Sequence, residues 1–168
     1  MGTRRLTHLA LYTAIALTVF VIEAQIPVPV PVPGVKWGLS NVVTLAALLF
    51  LGRRSAGLIL ASRIMLGALV LGRPSALLFS AVGGLLAYLV MASCIRLLPR
   101  RHIWVVSILG ALAHNTGQLF AAAVYLRSAT VLAFAPTLVI SATVAGCQTG
   151  LIALRLLRYE KWLGGTGT

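Results

Sequence analysis

The stretch LTHLALYTAIALTVFVIEAQI (6–26), running directly into PVPVPVPGVKWG (27–38), decides the fold. The first part has the length of a helix that crosses the hydrocarbon, for which about 20 mostly apolar residues are needed. The second part cannot continue that helix, because proline lacks the backbone donor and clashes with the preceding turn. Its prolines at 27, 29, 31 and 33 favour an extended backbone without internal hydrogen bonds, so its carbonyls need water or protein donors. Irregular backbone at membrane depth persists only where it is buried in protein or lines a wet cavity. The run therefore belongs at a membrane surface, either as a stiff connector on the headgroups or as a lid folded over a helix bundle.

Composition extends this reading to the whole chain. Of 168 residues, 60% are hydrophobic and 10% charged, whereas about 25% charged residues is usual for soluble domains; the mean hydropathy is +1.01. Such a chain predicts an all-α integral membrane protein forming one domain over residues 1–168. The 14 Lys and Arg face only two acids, Glu23 and Glu160. They fall singly or in pairs between apolar runs rather than clustering on one solvated face, which argues against nucleic acid as a partner. Cys94 and Cys147 stand alone in apolar stretches and read as packing residues.

Six spans are predicted: 6–26, 37–51, 56–71, 75–98, 103–126 and 131–157. The second and third are short, divided by Gly52-Arg53-Arg54-Ser55. With the N-terminus inside, Arg4, Arg5, Arg53, Arg54, Arg96, Arg100, Arg101, Arg155, Arg158 and Lys161 are cytoplasmic, and only Lys36, Arg73 and Arg127 are outside. The positive-inside bias selects this orientation. It predicts a six-transmembrane-helix bundle in the cell (cytoplasmic) membrane, both termini cytoplasmic, with the proline-rich outer loop between helices one and two.

Several polar residues fall where polarity is costly. Arg63 lies near the middle of the third span, and a charge there needs a partner or water. Glu23, in the outer part of the first span, is the only acid at hand, so the residues permit either a Glu23–Arg63 ion pair or an Arg63 that faces an outward-opening cavity and binds an anion. In the fifth span, AHNTGQ (113–118) places His114 and Gln118 on one helix face and Asn115 about 100° round. Gln148, in GCQTG (146–150), is expected at similar depth and also facing inward. These groups fit interhelical hydrogen bonds or a pocket for a small molecule. Small residues four apart, at Ala10/Ala14, Gly57/Ala61, Gly83/Ala87, Ala113/Gly117 and Ala142/Gly146/Gly150, permit close helix approach.

No glycine-rich phosphate loop ending in Lys-Ser or Lys-Thr is present, so the chain is not expected to hydrolyse nucleotides. Two distant acids cannot assemble a magnesium site for diphosphate chemistry. No catalytic residue, resident metal or cofactor is therefore expected.

The segments PVPGVKWGLSNVVTL (31–45), SRIMLGALVLGRPSALLFSAVGG (62–84) and GALAHNTGQLFAAA (110–123) resemble the Gx transporter family, commonly labelled heptaprenyl diphosphate synthase component I. That family in turn resembles the S components of energy-coupling factor transporters. The resemblance implies a small-molecule ligand held toward the outer face, with Lys36, Asn41, Arg63, His114, Asn115 and Gln118 as candidate pocket residues and the first outer loop as a lid. It also implies a membrane coupling subunit that packs on Ala10 and Ala14, energised by cytoplasmic ATPases. The label itself implies the alternative of a non-catalytic membrane partner or anchor in isoprenoid and quinone synthesis. Prenyl diphosphate synthases use aspartate-rich metal motifs, and this sequence contains no aspartate.

Overall fold

The computed structural model describes residues 3–26, 38–72 and 74–165. The proline-rich run with Lys36, and Arg73, lie outside them. The described residues form six α-helices: α1 (Thr3–Gln25), α2 (Asn41–Phe50), α3 (Gly52–Leu71), α4 (Pro74–Leu97), α5 (Ile103–Leu126) and α6 (Ala135–Gly165). Short 3₁₀ turns at Arg100–His102 and Ala129–Phe134 lead into α5 and α6. Five of the helical segments are long and apolar enough to cross a membrane; α2 is the short one.

The expected second span over 37–51 differs from the helix that forms. α2 has ten residues, which at 1.5 Å per residue is about 15 Å, half a hydrocarbon core. Both of its ends have a local cause. Before it, Gly38 adopts φ +77° and the turn closes through Asn41 N–H to the Gly38 carbonyl at 3.0 Å. After it, only Leu51 separates α2 from α3, and the chain reverses at Gly52 with φ +78°. Side chains are strained in that left-handed region, and glycine is not. α3 thus starts at Gly52 rather than at 56, and Arg53 and Arg54 belong to its first turn instead of a linker.

Despite its length, α2 touches all five other helices. Asn41, Val43, Thr44, Leu45, Ala46, Ala47 and Leu48 are buried, leaving almost no face for lipid. The more extensive helix pairings run α4 to α5 and α5 to α6. Both rest on glycines: a Cβ on Gly117 would sit 2.9 Å from the Gly83 Cα of α4, and one on Gly146 would sit 2.6 Å from the Ile108 Cα of α5. The α5–α6 seam also holds a buried hydroxyl pair, Ser107 Oγ and Thr149 Oγ1, 2.6 Å apart. Ser107→Ala is expected to cost only about 0.6 kcal/mol, the usual size of such a bond between membrane helices. Thermal unfolding of the detergent-solubilised protein checks this.

The polarity of the molecule is inverted relative to a water-soluble domain. Leu69 is 77% exposed, while the largest fully buried side chain among the described residues is Arg63, at 1%. Leu6, Leu11, Ile22, Met65, Leu85, Phe120, Ile140 and Leu151 also point outward. Apolar surface on this scale is what acyl chains cover. The protein is a multi-pass membrane protein.

Candidate functional site

The interior is layered along the helices. One apolar cluster gathers Ala16, Leu45, Leu48, Ile59, Ala87, Met91, Ile103 and Val106, and a second gathers Phe79, Leu119, Ala121, Ala122 and Leu138. On α5 the buried residues between the two clusters include His114, Asn115 and Gln118. On α4 Gly83 and Gly84 hold the corresponding positions, and on α3 Arg63 follows Ile59 by one turn. A buried polar layer therefore lies between two greasy ones.

Glu23 and Arg63 are both buried in it. The Glu23 carboxylate, near the end of α1, reaches the start of α2. It accepts hydrogen bonds from the Gly38 N–H, and from the Ser40 N–H at 3.2 Å. These donors belong to the turn that opens α2, whose Ser40 side chain makes no cap of its own. Glu23 is thus a capping group supplied by another helix, placed where the macrodipole of α2 favours a negative charge.

The Arg63 guanidinium is stacked over Phe20 of α1, its Cζ 5.7 Å from the ring centroid. Nη2 lies 3.5 Å from the position a Gly84 Cβ would take. Nε and Nη1 donate to no acceptor among the described residues. Glu23 acts on Arg63 by charge, while its oxygens are engaged by the α2 backbone. Asn41 follows in the same region: its Nδ2 lies 3.4 Å from where a Gly38 Cβ would be, and it too has no hydrogen-bond partner among the described residues.

His114 and Gln118 approach the layer from the other side of α4. A Cβ on Gly83 would stand 2.8 Å from both Gln118 Cγ and the His114 carbonyl oxygen, and 3.2 Å from His114 Cε1. The adjacent glycines of α4 therefore admit Arg63 on one side and the His114–Gln118 face on the other.

The remaining candidates separate from this group. Asn115 turns to α6, where its Nδ2 donates to the Leu138 carbonyl at 3.1 Å and to Ser141 Oγ at 3.4 Å. It borders a cavity of about 120 Å³ with Leu112, Thr116 and Leu119. Gln148, expected to face inward, is exposed. Its neighbour Thr149 takes the inward position, because Gly146 and Gly150 set the face of α6 that meets α5 and Gln148 is about 200° from each. Ala10 and Ala14 are exposed together on α1. Ser40 and Thr149 are among the buried polar residues that sequence reasoning missed; the Gly38-Leu39-Ser40-Asn41 helix start and the Gly146/Gly150 register are the signals that point to these two.

Lipid-facing helices around a buried layer of charge and amide define a multi-pass helical membrane protein with a polar core. The chain matches the model of the family described as heptaprenyl diphosphate synthase component I over residues 12–156, and it belongs to that family. The chain is not itself the enzyme. No curated protein and no solved structure matches it.

Proposed function

We propose that the chain is a non-catalytic membrane partner in heptaprenyl diphosphate synthesis, anchoring the catalytic component where the long prenyl chain of its product enters the bilayer. Family membership carries this reading. The exposed Ala10 and Ala14 on α1 support it as a contact face, since small residues four apart let another helix approach closely. The protein acts in the cell membrane as a six-helix bundle with both termini cytoplasmic, the orientation favoured by the arginine distribution. The test is to purify the tagged full-length chain from detergent-solubilised native membranes and assay formation of heptaprenyl diphosphate. Activity is expected in the eluate, and Ala10→Trp/Ala14→Trp is expected to leave most of it in the flow-through. Activity that never co-purifies with the unaltered chain overturns the proposal.

A second reading is favoured by the surroundings of Arg63. A buried guanidinium with two nitrogens lacking acceptors among the described residues, in the same polar layer as Asn41 and the His114–Gln118 face, suits recognition of a small anionic or phosphate-bearing solute. The chain would then be the substrate-binding component of an uptake system, with Lys36 in the outer lid and with a coupling subunit and cytoplasmic ATPases as partners. Mass spectrometry of molecules co-purified with the protein tests it. Arg63→Met/Gln118→Ala is expected to lower the bound solute at least tenfold; undiminished binding removes these residues from the site.

A further inference from the structure

A second polar site lies outside the buried layer. Arg100 and Arg101, in the 3₁₀ turn that leads into α5, face Leu154, Leu157 and Arg158 of α6 across a cavity of about 260 Å³. The three arginines are exposed, whereas Leu157 is buried. The pocket thus has a charged mouth and an apolar floor.

Three features make it unusual for a surface depression. Among the described residues its lining contains three guanidinium groups and no acid. The first turn of α5 carries no acid either, so Arg100, Arg101 and His102 crowd the positive pole of that helix with no acid of its own beside them. Positive charge at a helix N-terminus is unfavourable, and an anion between the arginines relieves it. The pocket also lies at one end of the bundle. Arg53 of α3 donates to the Ala92 carbonyl near the end of α4, and Arg5 reaches Ser55 at 3.5 Å, so the starts of α1 and α3 share that end with the α4–α5 turn.

The occupant follows from this chemistry. Arginine forks match the oxygens of a phosphate ester and bind them in pairs. A volume of about 260 Å³ is several times the ~30 Å³ share of one water and has room for a phosphate ester. A free phosphate or diphosphate satisfies the arginines but leaves the half-buried Leu154 uncovered, while a phospholipid satisfies both. Basic pockets between membrane helices on the cytoplasmic side are general sites for such headgroups.

We propose that this pocket binds the phosphate headgroup of an anionic phospholipid, with one acyl chain running along Leu154 and Leu157. The proposal uses none of the residues around Arg63 and holds for either role proposed above.

The experiment uses the delipidated full-length chain in a mild nonionic detergent. Native mass spectrometry and thermal unfolding are read with added phosphatidylglycerol, phosphatidylcholine or inorganic diphosphate. Phosphatidylglycerol is expected to bind and to raise the unfolding temperature, and phosphatidylcholine is not. Arg100→Gln/Arg101→Gln/Arg158→Gln is expected to weaken phosphatidylglycerol at least tenfold. Arg54→Gln/Arg96→Gln/Arg155→Gln, which removes the same charge at exposed positions outside the pocket, is expected to leave binding within about twofold. The three lysine replacements at Arg100, Arg101 and Arg158 keep the charge but lose the forks, and are expected to fall between. Equal losses in the two glutamine variants overturn the proposal in favour of diffuse charge attraction. Inorganic diphosphate that binds as tightly as phosphatidylglycerol and displaces it overturns the lipid assignment and makes the pocket a site for a soluble anion.

Discussion

Glu23→Ala is expected to destabilise the protein by about 3–5 kcal/mol, the cost of removing one partner from a buried charge arrangement. Two effects add in the same direction. The Gly38 and Ser40 N–H groups lose their acceptor inside the protein, at the entrance to a helix that touches every other. Arg63 loses the negative charge that acts on it while remaining buried. Glu23→Gln separates the two, because its amide oxygen still accepts one backbone hydrogen bond but brings no charge; it is expected to cost roughly half as much. Glu23→Gln/Arg63→Met should then recover stability relative to Glu23→Gln alone, since the unbalanced guanidinium is gone. Thermal or denaturant unfolding in detergent reads all three. Glu23→Ala within 1 kcal/mol of the unaltered protein would mean that neither the cap nor the charge supports the fold.

The same residue marks how far the sequence could be read. That Arg63 and Glu23 are buried follows from position alone, because a charge in a long apolar span has no cheaper place than the interior. How Glu23 is used does not follow. Counting charges directs it to Arg63, whereas backbone donors at a helix start compete for the same oxygens and are visible only once α2 is known to begin at Asn41. The length of α2 was hidden for a related reason. Residues 39–51 are apolar enough for a span, and hydropathy does not register that Gly38 and Gly52 turn the chain with positive φ. On α5 the polar residues fixed their own register: His114 and Gln118 share one face and Asn115 lies on another, as helical periodicity requires. On α6 polarity misled. Gln148 is the more polar of two neighbours, but the glycine spacing determines which side meets α5, and that places Thr149 inside.

That seam gives the second large effect. Gly146→Val is expected to destabilise the protein by about 3 kcal/mol or more, at or beyond the upper end of ordinary overpacking. The first added carbon would stand 2.6 Å from the Ile108 Cα and 3.1 Å from the Ile108 nitrogen. Both are backbone atoms, so no side-chain rotation makes room and α5 must move as a body. One turn further, Gly150 has the same relation to Trp104, at 2.7 Å from its Cα, so the displacement meets a second close contact instead of dissipating along the helix. Gly57→Ala is the matched control. The nearest atoms its Cβ would meet all belong to the Tyr88 side chain, the hydroxyl first at 3.5 Å, an ordinary contact, and its effect is expected within about 1 kcal/mol, the scale of helix propensity. The coupling to the hydroxyl pair makes the geometry testable beyond stability. Thr149 lies three residues from Gly146 on the same seam, so parting α5 from α6 also parts Ser107 from Thr149. Ser107→Ala should therefore cost its few tenths of a kcal/mol in the unaltered protein and nothing further in Gly146→Val, since neighbouring substitutions that break the same contact do not add. Full additivity in that double-mutant cycle would show that the helices stay together and the crowding is relieved elsewhere.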